Sequence, residues 1–217
     1  MSIFIPAVPA LPITKPEFSA LYLNQLTNVL RLYFNLLNNA VVELNSAILD
    51  LETDGGGSAL NFPYGAFSSD VSQSTTVNTT TLLTFNTTDF SNNVSIVSSQ
   101  MTVVKAGIYN LQFSVQVQNL DNASQDVYIW LRQNGVDIVG STGVIGMPAR
   151  KSVGDPSHDI KGWNYFLSMN AGDYVEIWWS TTDIDVTIPA YVASGSPTKP
   201  STQSVVATMS FVSALTV

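Results

Sequence analysis

The 217-residue sequence contains no cysteine. Disulfides and thiolate metal sites are therefore excluded. Histidine is nearly as scarce, with His158 as the single copy. Lys and Arg together number 8 against 16 Asp and Glu, for a formal net charge of −8. Nucleic-acid binding depends on clustered basic residues that neutralise phosphates, and the few here are scattered, so no nucleic-acid partner is expected. Charged residues make up only 11% of the chain, less than half of the usual quarter or so. No uninterrupted apolar run approaches the roughly 20 residues that cross a bilayer, so no membrane span is expected. The opening Met1-Ser2-Ile3-Phe4-Ile5-Pro6 lacks a basic stretch and is broken again at Pro9 and Pro12. It is not expected to act as a secretory signal.

What fills the space left by charge is Ser, Thr, Asn and Gln. A polar but uncharged surface suits a chain that packs against copies of itself or meets variable ionic conditions. Hydrophobic residues reach 45%, enough for a real core and too many for wholesale disorder.

Three segments follow one another. Residues 1–16 carry Pro6, Pro9, Pro12 and Pro16, a density that forbids helix and favours an extended arm. The apolar residues between them, Ile3, Phe4, Ile5, Val8 and Leu11, suit docking in a groove on a neighbour. Residues 17–57 form an amphipathic helix and a glycine linker: Pro16 lies near the start, and Gly55-Gly56-Gly57 stops the helix. Apolar residues fall at Leu23, Leu26, Leu30, Tyr33, Leu37, Ala40, Leu44, Ala47 and Leu51. Steps that alternate three and four are the spacing of a coiled-coil seam. Val29, Phe34, Leu36, Val41 and Ile48 widen the stripe, so a bundle of identical helices, a larger assembly, or packing against the chain's own domain all fit.

Residues 58–217 change period from helical to two. In Tyr109–Gln118 the residues Tyr109, Leu111, Phe113, Val115 and Val117 alternate with Asn110, Gln112, Ser114, Gln116 and Gln118, which places one face in a core. Val127-Tyr128-Ile129-Trp130-Leu131 is apolar on both faces. It predicts a strand buried on both sides, or buried on one and in contact with another subunit on the other. Asn134-Gly135 predicts a tight hairpin turn into 136–139. Further strands are expected at 65–68, 79–85, 94–104, 162–169, 174–180 and 204–215. About eight or more short strands with turns between them indicate a sandwich or barrel.

Several of these segments resemble the C1q/TNF-like jelly-roll family. Ala106-Gly107-Ile108-Tyr109-Asn110-Leu111-Gln112-Phe113 is similar to its Gly-x-Tyr-x-Phe strand, with Leu111 where the first phenylalanine stands. Trp130-Leu131-Arg132-Gln133-Asn134-Gly135 resembles a later block. Met169-Asn170-Ala171-Gly172-Asp173-Tyr174-Val175 is similar to the Leu-x-x-Gly-Asp-x-Val turn and strand, and Ala207-Thr208-Met209-Ser210-Phe211 lies where the closing strand belongs. The run from Asn24 to Asn35 is similar to the helix that precedes such domains in bacteriophage virion proteins, marine and cyanophage ones especially. The resemblance implies an antiparallel jelly-roll sandwich behind an extended arm and one helix. It also implies homotrimers, with the helices gathered at the base. The collagen repeat of animal members is missing, so only the architecture carries over.

Catalytic chemistry finds little to use. A Ser–His–Asp triad would need His158, and no Gly-x-Ser-x-Gly turn offers a nucleophile. His158 sits in Gly154-Asp155-Pro156-Ser157-His158-Asp159, a loop by composition, and a lone histidine is a poor metal ligand set. Asp183 and Asp185 would share a face if they lay on a strand, an arrangement usable in glycoside hydrolysis, but such pairs more often mark a solvated strand end. The glycine-rich 140–146 lacks the lysine of a phosphate loop. Asn-x-Ser/Thr triplets at Asn78, Asn86, Asn93 and Asn122 matter only in a secretory pathway.

Among the aromatics, Trp178 and Trp179 are adjacent and should face opposite ways, one to the core and one to a contact surface. With Trp163 they are the candidate binding surface. The expectation is a non-enzymatic virion structural protein without cofactor. It would be a capsid decoration (cement) or short fibre protein, binding itself and capsid or tail proteins through its arm and helix. The alternative is a receptor-binding fibre module recognising host-surface glycan or protein.

Overall fold

A computed structural model describes residues 9–10, 20–53 and 62–215 of the chain, without the side chains of 50–53. The docking positions Ile3, Phe4, Ile5, Val8 and Leu11 and the side chain of Leu51 lie outside the described residues. The chain divides into two units, Met1–Asn61 and Phe62–Val217.

In the first unit, helix α1 runs from Ala20 to Thr53, roughly 51 Å at about 1.5 Å per residue. No acidic residue occupies its first turn and no basic residue its last, so side-chain charge does nothing for the helix dipole. Its stability has to come from covering apolar surface. Leu26, Leu30, Tyr33, Leu37, Ala40 and Ala47 are partly buried. Leu23 and Leu44 remain 39% and 44% exposed, and Leu21, Leu32, Phe34, Leu36, Val41, Val42, Ile48 and Leu49 are exposed as well.

The second unit is mainly β. In chain order its strands are β1 (Tyr64–Ser69), β2 (Thr81–Leu82), β3 (Thr87–Asn92), β4 (Val94–Val97), β5 (Gln100–Val103), β6 (Gly107–Asn119), β7 (Gln125–Gln133) and β8 (Val136–Asp137). They continue with β9 (Gly143–Met147), β10 (Ser157–Met169), β11 (Tyr174–Thr181), β12 (Val186–Thr187), β13 (Ser194–Gly195), β14 (Thr198–Lys199) and β15 (Val205–Ser213). One sheet has the order β10-β6-β15-β1-β3, with β12 also against β6. The other has the order β4-β5-β11-β7-β8, with β2 beside β11 and β9 beside β7. The small β13–β14 hairpin stands apart. All strand pairs are antiparallel, and they nest: β1 with β15, β5 with β11, β6 with β10, β7 with β9. The chain therefore passes repeatedly from one sheet to the other.

One core lies between the sheets. Tyr109, Leu111, Phe113, Val115 and Val117 of β6 are at most 5% exposed, and so are Val127, Ile129 and Leu131 of β7. Val175, Ile177 and Trp179 of β11 join Ala207 and Met209 of β15 in the same cluster. Register sets the packing: Leu111 has Tyr165 on one flank and Met209 on the other, and Phe113 has Trp163 and Ala207. Each fully buried side chain of this size contributes about 1.5–3 kcal/mol. The buried phenol of Tyr109 donates to the Lys105 carbonyl at 2.7 Å, so its one polar atom is satisfied, and burial raises its pKa.

Several stretches differ from expectation, and the strand expected at 79–85 shrinks to the two residues of β2, Thr81–Leu82. The span 94–104 is a hairpin rather than one strand: Ser98 and Ser99 turn at φ 51° and 65° and pair Val97 with Gln100. Two-residue turns with both φ positive normally recruit Asn or Gly, and serine hides the turn. Ser99 Oγ accepts the Phe85 N–H at 3.0 Å, which helps to hold the unfavourable backbone. Ser157, His158 and Asp159 belong to β10, paired with Asn119, Gln118 and Val117, and not to a loop. Within the glycine-rich 140–146, Gly143 onward forms β9 against β7.

Candidate functional site

The turn motifs of the β-unit lock onto each other. Asn134 and Gly135 adopt φ 50° and 78°, the backbone that an Asn-Gly hairpin turn requires. Asn134 Nδ2 donates to Asp173 Oδ1 at 2.8 Å, and Asn134 Oδ1 accepts the Tyr174 N–H at 3.0 Å. Asp173 Oδ2 accepts the Asn170 N–H at 2.7 Å and Gln133 Nε2 at 3.4 Å. These bonds, the Asn170 N–H first, hold the Asp173 carboxyl below the usual carboxylate range. The Asn-Gly and Gly-Asp segments, 37 positions apart in the chain, thus make one structural joint.

The three candidate tryptophans separate. Trp179 is 0% exposed in the core and does not belong to any binding surface. Among the described residues no acceptor meets its buried Nε1–H. Trp163 points inward from β10 against Phe113, with ring centroids 4.7 Å apart, and lies over Gly143 so closely that a Cβ there would stand 2.9 Å from its ring. Trp178 is on the outer face of the β11 sheet, half-buried.

Trp178 stands directly opposite Trp130 of β7, and Glu176 opposite Arg132. Arg132 lies over the Trp178 ring, 4.2 Å from its centroid. The Trp178 indole donates to Glu176 Oε2 at 3.0 Å, and Gln100 Nε2 donates to Glu176 Oε1 at 2.9 Å. The hairpin places Asp137 across from Arg132. Asp137 Oδ1 accepts both Trp130 Nε1 and Arg132 Nε, each at 2.8 Å. These two donors keep the Asp137 carboxyl below its ordinary pKa, so it is ionised at neutral pH.

Beside this cluster, Tyr128 and Trp130 floor a cleft of about 400 Å³ walled by the segment from Asp137 to Thr142, with Ser180 at its far side. The pattern Tyr128-Ile129-Trp130 marks which aromatics share a face. That Asp137 comes to them depends on the hairpin register and is absent from any single motif.

The remaining chemistry disperses. Asp183 and Asp185 lie in the turn after β11, where Asp183 Oδ1 caps the Asp185 N–H at 2.8 Å, rather than on a strand. His158 Nδ1 is 3.3 Å from the Tyr191 hydroxyl. Partial burial pushes its pKa down, the Lys151 charge adding to the effect. Among the described residues no three His, Asp or Glu side chains converge where an ion could sit, and no helix is long and apolar enough to cross a membrane. No protein-family model matches the chain, and no curated protein matches it.

Proposed function

We propose that this protein is a non-enzymatic virion structural protein, a homotrimeric capsid decoration or short fibre protein attached through its N-terminal arm and helix. The observation that carries this reading is α1: a 34-residue helix with a three-four apolar seam and large apolar side chains left exposed. Each leucine that a sister helix covers contributes up to about 1.5–3 kcal/mol. A handful per chain is enough to hold a bundle against the cost of ordering it.

The β-unit supports the same reading. Eight principal strands nest first with last, second with seventh, third with sixth and fourth with fifth, the pairing of a jelly roll. The outer face of the β6 sheet is uncharged at its centre, with Gln112, Ser114 and Thr208, and carries exposed Ile160, Phe166 and Val206. Such a face suits packing around an axis between like subunits.

Purified phage particles from the host that carries this sequence should contain the chain, and the purified protein should bind capsids or tails lacking it. Absence from the particles, together with no binding to either, would remove the virion reading. A second reading, a receptor-binding fibre module, is favoured by the aromatic cleft over Tyr128 and Trp130.

A further inference from the structure

We infer that the cleft between the outer face of β7 and the segment 137–142 is a sugar-binding site that takes a neutral pyranose unit of a glycan. This rests on the second, receptor-binding reading and not on trimer formation, so a sugar titration and a mass measurement fail independently. About 400 Å³ lies within the range of small-ligand sites, roughly 300–1,000 Å³, and holds one or two sugar rings.

The chemistry of the lining selects the ligand. Tyr128 and Trp130 lie two residues apart on one strand, so they project from one face about 6.6 Å apart. A pyranose offers a C–H face to an aromatic ring and hydroxyls around its rim. Thr142, Ser180 and the Asp137 carboxylate line the same cleft and can hydrogen-bond those hydroxyls. Asp137 Oδ1 is occupied by Trp130 and Arg132, which leaves Oδ2 to accept from a ligand. Carboxylate acceptors suit polyhydroxylated ligands, since one oxygen can take two O–H donors.

The site is already built. Ile138 N–H donates to the Leu131 carbonyl at 2.9 Å. Ser141, 0% exposed, accepts the Leu131 N–H on Oγ at 3.0 Å. The Tyr165 hydroxyl donates to the Gly140 carbonyl at 3.1 Å. A wall pinned at three points loses little freedom when a ligand arrives. Val139 at the rim is fully exposed, at 100%, which leaves apolar surface where a second sugar unit would extend.

Other ligand classes fit less well. An anion would meet the Asp137 carboxylate. The nearest cation, Arg132, is already paired with Asp137 and stacked on Trp178. A quaternary ammonium could use the aromatics, but Asp137 is already balanced by Arg132, and the hydroxyls of Thr142 and Ser180 would go unused.

The test is a titration of the full chain with maltotriose, cellotriose, chitotriose and lactose, read by tryptophan fluorescence and saturation-transfer NMR. At least one should bind with a Kd in the low millimolar range or tighter, of the order of 1 mM. Trp130→Ala should weaken it at least tenfold or so, since stacking at one ring accounts for about a factor of ten. Because Trp130→Ala could disturb the sheet, Thr142→Arg, on an exposed loop position, should fill the cleft and abolish binding with an unchanged circular-dichroism spectrum. Val153→Ser, at a position outside the cleft's lining and 86% exposed, should bind as the parent does. No transfer from any of the four sugars at about 20 mM, binding undiminished by Thr142→Arg, or tetramethylammonium binding there instead, overturns the inference.

Discussion

Replacing Asp173 by alanine isolates the joint between the Asn134-Gly135 and Gly172-Asp173 turns. The side chain accepts two short bonds, from Asn170 N at 2.7 Å and Asn134 Nδ2 at 2.8 Å, and a longer one from Gln133 Nε2 at 3.4 Å. A hydrogen bond to a charged group contributes about 1.5–3 kcal/mol in favourable settings, but Asp173 is only half-buried. Water can replace the carboxylate at each donor, and solvent screening reduces the worth of its charge. Counting the two short bonds at about 0.5–1.5 kcal/mol each gives a loss of about 1–3 kcal/mol. For a chain of this size that lowers Tm by roughly 2–4 °C per kcal/mol. Asp173→Asn keeps one acceptor oxygen and should lose about half as much.

The pH dependence supplies a second arm. The folded-state pKa of Asp173 is depressed, so its contribution is complete above the unfolded value near 3.9 and is lost as pH falls through the folded one. The gap between parent and Asp173→Ala should therefore be widest at neutral pH and should narrow below about pH 4. Guanidinium unfolding followed by circular dichroism, at one fixed protein concentration because assembly shifts apparent stability, measures both. An alanine variant within about 0.3 kcal/mol of the parent at pH 7, where ordinary surface changes lie, would refute the claim that these turns lock each other.

Gly162 lies on β10 where an added Cβ would stand 2.4 Å from the Phe113 carbonyl oxygen and 3.2 Å from Ser114 Cα. Both are backbone atoms that cannot swing away, so Gly162→Ala should cost about 1–3 kcal/mol in denaturant unfolding. His158 is held below its ordinary pKa, chiefly by burial and then by Lys151, with Asp155 acting the other way and Lys199 adding a little. The unfolded chain takes the proton more readily, so this contribution is present above about pH 6.5 and is lost as pH falls through the folded value. His158→Gln should flatten the stability profile as pH falls below about 6.5.

Much of the architecture was legible because it is local. The alternation from Tyr109 to Gln118 coincides residue by residue with the burial of β6, core side chains on one face and polar ones on the other. The three-four spacing outlined a helix over 17–54, and α1 runs Ala20–Thr53. The gaps have physical causes. The β4–β5 turn uses two serines in a backbone normally left to Asn and Gly, so composition cannot reveal it. The six residues of β3 include one apolar side chain, Phe90, so their pattern is silent, and β9 sends Ile145 and Met147 into the core but has glycine at two of its five positions, which reads as loop. Trp178 and Trp179 were separable by parity alone, since Trp179 faces the core. The cleft was not separable, because Asp137 reaches Trp130 only through the hairpin register and Ser180 reaches Tyr128 only through the pairing of β11 with β7.

Light scattering of the full chain tests the central claim most directly. Self-assembly predicts a monodisperse species of about 70 kDa, three times the 23.4 kDa chain. Placing asparagine at both Leu30 and Leu37 of the seam should lower that mass, since two seam layers lose the apolar burial that holds the helices together. A 23.4 kDa monomer for the parent at concentrations of the order of 100 μM, high enough to populate even a modest association, would contradict it.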